Sequence, residues 1–514
     1  MRTGRNSAAR RAGVAAPIAA LAGCCLLAAG CRVLRSPRQL AVALDRVATL
    51  DPQHHNEVVS WSLLCNFYDA LVRFSPEMRL EPSLAVAWRQ VDATHVRFEL
   101  RPGVRFSDGA RFGSADVVAT VDRALRDPQS MIRHYLLGVR RVVADGDSAV
   151  VVETTGPAPT LVNRLAFLFV VPRAQAALPE ITAPVGTGPY RFLAREADGA
   201  VVAEGWAGWR GAPRISKVRF AFVEDEDLRS RRFAAGDYDV SVRVNDDLVD
   251  ELKDRSGLRL RPQPSLLVQL LVVNPAGAAG EARQALADPR VRRALLLAIN
   301  RGGLADRVFR GNGSVATQYV HPVIVGFDPG VSALPYDPAE ARRLLGAAGY
   351  PAGFAVDLAH GAIPPAYVAG LVADLERIGV RVRPVQFSLR ELVRRSHAGE
   401  FPLMTYARAC TTGDASEFLD SSIHTPDASH GLGLENFSGY SDPATDALLE
   451  AADRELEPGK RLELLQQAQR RVLETLPILP LTLRTEYTGV SSRVEVTTRF
   501  DGWVWVAGYR WDRP

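Results

Sequence analysis

The chain has 514 residues, of which 47% are hydrophobic and 23% charged, with 62 basic and 58 acidic side chains and a formal net charge of +4. Residues 1–30 hold four arginines and no acidic residue, so the rest of the chain balances 58 basic against 58 acidic side chains. This balance gives no support for nucleic-acid binding, which needs a basic stripe. A chain of this length exceeds one ordinary hydrophobic core, so we expect at least two domains.

The N-terminus has the layout of an export signal, with arginines followed by the apolar run 14–29. This run is shorter than the roughly 20 residues of a membrane-spanning helix. It ends in the letters LAAGC, which resemble a lipoprotein cleavage box with Cys31 as the lipidated residue, and LAGC, ending at Cys24, is the alternative. An ordinary cleaved signal with incidental cysteines is the third interpretation. We predict a signal peptide at 1–30, a lipid-anchored linker at 31–37 and a mature chain in a periplasmic or extracytoplasmic location.

The first predicted elements are strands and helices in alternation. Leu40–Leu44 is a predicted strand, and a helical stretch leads to the letters NFYDALV at 66–72. Residues 96–100 alternate apolar and charged side chains, which indicates a strand with one buried face. Ser114 is the predicted N-cap of the next helix, with Asp116 in its first turn.

Two polar segments in the middle of the chain suggest chemistry but favour structural roles. Gly186 and Gly188 are followed by neither a lysine nor a helix start, so they indicate a turn rather than a nucleotide-binding loop. The acidic run Glu224–Asp227 lies in a polar stretch and is typical of a solvated turn and helix cap rather than an acid–base pair.

The C-terminal half predicts α/β construction. The apolar run Leu266–Val273 is a predicted strand, and Asp337 with Pro338 forms an N-cap and N1 pair that opens a helix. Residues 371–385 predict a helix, a glycine and a strand in succession. The apolar strand Pro477–Leu481 is the predicted return crossing between two lobes.

Motifs along almost the whole chain resemble family 5 solute-binding proteins of bacterial ABC importers, the group that includes oligopeptide-, dipeptide- and nickel-binding proteins. The forty residues 84–123, with the letters FELRPGVRFSDG, carry the most specific match. The other matching segments are TLDP at 49–52, NFYDALV at 66–72, PVGTGPY at 184–190, WRGAP at 209–213, AGDYDV at 235–240, VRRAL to AINR at 291–301, and NFSGYSDP at 436–443.

The resemblance implies an α/β fold of the two-lobed periplasmic-binding-protein class, type II, with an enlarged N-terminal lobe and a two-strand hinge. We place lobe 1 at 38–270, with an inserted subdomain at about 76–180. Lobe 2 is expected at 271–478, and 479–514 is expected to return to lobe 1. Clefts between lobes are where such folds bind ligands.

The segment from Phe401 to Leu419 carries the predicted site. In peptide-binding relatives the matching letters are W-x-x-D … D-P-x-x-F-L, and the Asp after the Trp holds the ammonium group of the ligand. Here Arg408 takes the place of that Trp and Thr411 the place of that Asp, while Asp414 keeps the second acidic position. A standard peptide ligand is therefore in doubt unless Asp414 substitutes for the missing carboxylate.

Arg408 has two interpretations. It either faces the cleft and binds a carboxylate, phosphate or other anionic group, or it pairs with an acid outside the cleft. Tyr406 shares its face in a strand. The remaining cleft candidates are Cys410, Trp61 and Tyr68, and for the aromatic ones a core position is the competing interpretation.

From the sequence we predict neither a metal site nor a cofactor. No second metal-ligating residue stands at a spacing typical of metal sites from any of four histidines, His54, His55, His424 and His430. We therefore expect these histidines to be hydrogen-bonded or to face solvent. Cys65 and Cys410 are the two cysteines left after cleavage at Cys31, either joined in a disulfide or present as two separate buried thiols.

The expected function is that of a monomeric receptor, not an enzyme, that captures a peptide or other small-molecule ligand. The expected partners are the permease subunits of an ABC transporter and, through the lipid anchor, a membrane. The alternatives are a receptor that presents its ligand to a sensor protein, an extracytoplasmic hydrolase, and a paralogue whose cleft has degenerated. A hydrolase would need a nucleophile–base pair, and no such motif is found.

Overall fold

A computed structural model describes residues 39–512; the predicted signal peptide, linker, Cys31 and Cys24 lie outside this range. Up to residue 273 the elements are β1 (Gln39–Leu44), α1 (Val58–Leu64), β2 (Val72–Phe74), β3 (Leu80–Pro82), β4 (Ala85–Asp92), β5 (His95–Leu100), α2 (Ser114–Arg126), β6 (Val139–Ala144), β7 (Ala149–Thr154), α3 (Leu161–Leu165), α4 (Arg173–Ala176), β8 (Tyr190–Arg195), β9 (Val201–Gly205), β10 (Lys217–Phe222), α5 (Glu226–Ala234), β11 (Val240–Ser241), α6 (Val249–Leu252) and β12 (Leu258–Val273).

The remaining elements are α7 (Gly280–Ala287), α8 (Pro289–Ala298), α9 (Arg301–Val308), β13 (Ser314–Val315), α10 (Pro338–Ala347), β14 (Ala355–His360), α11 (Pro365–Glu376), β15 (Arg381–Gln386), α12 (Leu389–His397), β16 (Leu403–Arg408), α13 (Ser416–Ser422), α14 (Pro443–Arg454), α15 (Pro458–Thr475), β17 (Ile478–Ser491), β18 (Val494–Glu495) and β19 (Arg510–Trp511). Short 3₁₀ turns lie at Arg133–Leu136, Asp246–Leu248, Pro275–Gly277 and Val506–Gly508. Within residues 39–512, none of the helices has the length and apolar character needed to cross a membrane.

A large mixed sheet organises the described residues. Its strands run in the order β15–β14–β16–β12–β17–β11–β1–β10–β9–β8, with β13 added to β17. β1 is parallel to β10 and β11, and β14 is parallel to β15 and β16. Parallel pairs joined by helices are the α/β construction that the sequence predicts.

Two long antiparallel strands connect the two halves of this sheet. β12 and β17 pair from Leu258 opposite Ser491 to Val272 opposite Ile478, with a register shift between Pro264 and Val268. The predicted crossing strands coincide with parts of them, although β12 begins at Leu258 rather than at Leu266 and β17 begins at Ile478 rather than at Pro477. The lobe boundaries at 270 and 478 stay predictions, because the sheet continues across both strands.

The helix signals of the C-terminal half are confirmed. The Asp337 carboxylate accepts hydrogen bonds from the backbone N–H groups of Ala339 and Glu340, at 3.1 and 2.9 Å, and Pro338 is the first residue of α10. α11 and β15 form the predicted helix–glycine–strand unit, with Gly379 between them at a φ of 89°. Positive φ is the conformation that glycine adopts without strain.

The segment 84–123 forms part of a separate four-stranded antiparallel sheet, in the order β4–β5–β7–β6. The apolar residues of the 96–100 strand are buried, as predicted. The N-cap prediction is wrong by one residue, because Gly113 holds that position and Ser114 begins α2. The Asp116 carboxylate accepts a hydrogen bond from the Gly113 N–H at 3.0 Å, and this contact fixes the earlier start.

The two remaining polar segments have the predicted structural roles. The Gly188 N–H donates to the carbonyl oxygen of Phe67 at 2.9 Å, and a Cβ at Gly188 would lie 2.5 Å from that carbonyl carbon. Glycine is therefore needed for close backbone approach rather than for phosphate. Asp225 caps α5 by accepting the N–H of Leu228 at 2.8 Å.

Candidate functional site

A cavity of about 800 Å³ lies between two distant parts of the chain. Residues 56–167 supply one wall and residues 407–453 the other, with Leu267 and Trp503 in addition. Its charged lining consists of Arg164, Arg408, Glu417, Asp420, Glu435 and Asp453, and its aromatic lining of Trp61, Tyr135, Phe167 and Trp503. The volume falls within the range of small-molecule sites, about 300–1,000 Å³.

Aromatic side chains line the wall formed by residues 56–167. Trp61, on α1, stacks on Trp503 with ring centroids 5.8 Å apart and planes 9° from parallel. Tyr135 stacks on Phe167 at 4.5 Å and 6°, and the Phe167 ring meets Trp61 edge-on at 5.4 Å. Because each ring is held by another, this wall is rigid aromatic surface.

Arg408 combines features of both interpretations given above. It is the last residue of β16 and lines the cavity, and its Nη1 lies 2.9 Å from a carboxylate oxygen of Glu435, which lines the cavity as well. The Tyr406 hydroxyl donates to the same carboxylate at 2.8 Å. The guanidinium thus faces the cleft but already has an anionic partner there.

Thr411 lines the cavity beside a carboxylate whose hydrogen bonds are satisfied. Its hydroxyl donates to Glu417 at 3.2 Å, and the Thr412 N–H and hydroxyl each donate to Glu417 at 2.8 Å. Burial raises the pKa of Glu417. Three donors from one turn therefore hold this carboxyl group in place.

Asp414 lies outside the lining of the cavity. It is 4% exposed, and both of its oxygens accept hydrogen bonds from the guanidinium of Arg461, one of them at 2.9 Å. Breaking a buried pair of this kind costs about 3–5 kcal/mol, because the remaining charge is left without compensation. The structure therefore gives Asp414 no freedom to replace the carboxylate missing at Thr411.

Three other candidates also lie outside this lining. Cys410 is buried, and within the described residues both it and Cys65 are free thiols. Tyr406 packs edge-on against Phe437 at 5.7 Å. Tyr68 is buried against Phe169 and borders a separate cavity of about 270 Å³. Their role in ligand binding stays a prediction.

Sequence reasoning missed four acidic residues that the structure brings to the cavity. Glu417 and Asp420 stand three residues apart on α13, Asp453 lies near the end of α14, and Glu435 is in the loop between these helices. The letters SEFLD carry the first two at helical spacing. That spacing places both side chains on one face of a helix.

Burial and the charges of neighbouring acids raise the pKa of two of these carboxyl groups. The Asp420 Oδ1 is shielded from solvent and has no hydrogen-bond partner in the described part of the chain. Burial, reinforced by the nearby Asp453 and Asp414 charges, raises the pKa of Asp420 well above its ordinary value. Burial also raises the pKa of Asp453 to about 6. Carboxyl groups held in this way bind a proton or a cation.

The histidines have structural surroundings. His54 Nε2 lies 2.7 Å from an Asp127 oxygen, His430 Nδ1 lies 2.7 Å from an Asp427 oxygen, and His55 is buried edge-on against Trp61. Between residues 39 and 512, no group of three or more His, Cys, Asp or Glu side chains is arranged to hold a metal ion.

Comparison with known proteins gives a consistent result. Residues 79–430 match the model of "Bacterial extracellular solute-binding proteins, family 5 Middle". The Di/tripeptide-binding protein 2 of Pseudomonas aeruginosa (strain UCBPP-PA14) is 27% identical over 496 residues, which cover 88% of this chain and 91% of that protein. The Glutathione-binding protein GsiB of Escherichia coli (strain K12) is 27% identical over 456 residues, or 85% and 86% of the two chains.

A solved structure shares the fold. HbpA2 from Haemophilus parasuis superposes with a TM-score of 0.81 and covers 92% of this chain and 100% of its own, at 24% sequence identity.

Proposed function

Because the chain belongs to family 5 of the bacterial extracellular solute-binding proteins, we propose that it is an extracytoplasmic lipoprotein that captures a small solute and delivers it to an ABC importer. Proteins of this family bind solutes and are not enzymes. The predicted fold class, two-lobed and α/β, is confirmed by the structural similarity. The proposed anchor is Cys31, with Cys24 as the alternative.

The cavity between residues 56–167 and 407–453 is the observation that carries this proposal. A solute held there contacts both walls at once, so it stabilises the conformation in which the walls are close together. β12 and β17 form the connection about which the walls would separate. The solute-loaded form is then the one that docks on the permease.

The printed names of the relatives guide the choice of ligand. One is named for di- and tripeptides and another for glutathione, so a peptide-like solute is the first class to examine. This chain has Thr411 and Arg408 where its peptide-binding relatives have an Asp and a Trp, so other small solutes belong in the same screen.

Native mass spectrometry of the purified mature protein tests the proposal. We expect a small molecule to co-purify, and we expect unfolding and refolding to remove it. Thermal-shift screening of the refolded protein against peptides, amines, sugars and organic acids should then find a class that raises the melting temperature.

A pair of variants separates binding in the cavity from binding elsewhere. Ala407 is exposed and lines the cavity, so Ala407→Trp fills the site without disturbing the core. Ala87 is exposed on β4, and Ala87→Trp is the matched control. The proposal predicts loss of ligand in the first variant and retention in the second. Absence of any bound or stabilising solute, or equal binding by both variants, would contradict it.

A further inference from the structure

We infer that the solute carries a positively charged group, an ammonium or a guanidinium, which binds between the carboxylates of Asp420 and Asp453. This inference rests on the proposed function and narrows its ligand class. The position differs from that of Thr411, where the peptide-binding relatives have their ligand-binding Asp.

The balance of charge in the cavity is the first observation. Its lining has four carboxylates and two arginines. Glu435 is paired with Arg408, and Glu417 is satisfied by three hydrogen-bond donors that carry no charge. Burial lowers the pKa of His134, which leaves that imidazole neutral at pH 7. When Asp420 and Asp453 are both ionised, the carboxylates of the lining outnumber its arginines, so the ionised cavity carries excess negative charge.

The second observation is that Asp420 and Asp453 lack partners. In the described residues neither carboxylate accepts a hydrogen bond or has a cation within 4 Å, and the Asp420 Oδ1 is buried. The charge of Arg461 acts to lower the pKa of both acids, but its guanidinium is hydrogen-bonded to both oxygens of Asp414 and to the carbonyl of Ala452. A carboxyl group shielded from water and without a partner tends to hold a proton, which an external cation can displace, so this pair is poised for a cationic group.

Arg164 does not fill this role. Its Nη1 donates to the carbonyl oxygen of Leu137 at 2.7 Å, and its Nε is buried without a partner. The guanidinium contributes a favourable charge near Asp453 but makes no ion pair with it. When both acids are ionised, one positive group opposite them still leaves a net negative charge.

The aromatic wall is the third, independent observation. The rings of Trp61, Tyr135, Phe167 and Trp503 line the same cavity as the acidic residues, and Trp503 is the least buried of the four. Aromatic faces attract cations through the ring quadrupole, by about 0.5–2 kcal/mol each. Carboxyl groups and aromatic rings in one cavity together favour a cationic ligand over an anionic one of the same size.

Matched ligand pairs test the inference in the refolded, ligand-free protein. The probes are spermidine and triacetylspermidine, the dipeptide Met-Leu and N-acetyl-Met-Leu, and phenethylguanidine and phenethylurea. Titration calorimetry should show binding of at least one cationic member and a loss of about tenfold or more in affinity for its partner without the charge. Equal affinity within the pairs, or a co-purified solute with no cationic group, would overturn the inference.

Variants connect the effect to the two residues. Asp420→Asn and Asp453→Asn keep the side-chain shape, and each should lower the affinity for the cationic probe by about tenfold or more. Asp227→Asn, on the exposed face of α5, is the control for net charge and should bind as wild type does. Unchanged affinity in both cavity variants would overturn the assignment. Circular dichroism verifies folding.

Proton release gives a second readout. A cation that binds the pair forces both carboxyl groups to ionise, so calorimetry at pH 6 in buffers of different ionisation enthalpy should detect proton release. Asp420→Asn and Asp453→Asn should each reduce it, and release that is unchanged in both variants would contradict the assignment. Solutes could bind the wild-type protein, fail to bind Ala407→Trp, and show equal affinity for charged and uncharged probes. In that case the inferred ligand class is wrong and the proposed function stands. If no solute of any charge binds, the proposed function itself fails.

Discussion

Asp453→Asn should stabilise the ligand-free protein at neutral pH and leave its stability almost unchanged at pH 4. The pKa of Asp453 is raised by burial to about 6, from an ordinary value of 3.8. The groups that face it are Asp420, Asp414, Arg461, Arg164 and His424. A folded-state pKa above the unfolded one means that the folded protein binds more protons between these values. Stability is therefore lost as the pH rises through this window.

The magnitude follows from the shift. About two pKa units correspond to about 3 kcal/mol at most, and partial solvent contact of the side chain reduces this to about 1–2 kcal/mol. Asparagine has no charge to desolvate, so it avoids this penalty at pH 7. At pH 4 the wild-type carboxyl group is protonated in the folded state, and the two proteins should have nearly equal free energies of unfolding.

Urea unfolding at pH 4, 5, 6 and 7 measures the difference. We expect the advantage of Asp453→Asn to grow with pH and to reach its plateau above pH 6. The control Asp227→Asn removes an exposed carboxylate and should change the free energy of unfolding by less than about 0.5 kcal/mol throughout. A variant that is less stable than wild type at pH 7, or a difference independent of pH, would refute the reasoning.

Three further outcomes are expected. Arg461→Met leaves Asp414 buried without its partner and should lower the free energy of unfolding by about 3–5 kcal/mol, whereas adding Asp414→Asn should recover part of that loss in urea titrations. Gly188→Ala places a Cβ against the Phe67 backbone and should cost about 1–3 kcal/mol in the same assay, and a neutral effect would contradict the close approach. In cells fed a clickable fatty acid, Cys31→Ser should abolish labelling of the protein and Cys24→Ser should preserve it, with the reverse pattern identifying Cys24 as the anchor.

The sequence predicts local structure well where one residue dominates the geometry. Asp337 and Pro338 define the start of α10 because a capping carboxylate and a fixed φ act within a single turn. The beginning of β12 was harder to predict. Pro262 and Pro264 interrupt its apolar pattern, yet both lie opposite residues of β17, beside the register shift that follows Pro264.

The site shows where reasoning from a single sequence ends. Arg408 and Thr411 could be placed at the cavity from the motif that ends in Phe418–Leu419. Asp420 and Asp453 could not be paired, because they belong to different helices and only the packing of α13 near α14 brings them together. The ion pair between Asp414 and Arg461 likewise could not be predicted, because it joins residues 47 positions apart in sequence.

A crystal structure of the protein with its co-purified solute tests whether the cavity is the binding site. We expect electron density for a small molecule between Trp503 and Asp420, in contact with both walls. An empty cavity beside a solute bound elsewhere on the surface would contradict it.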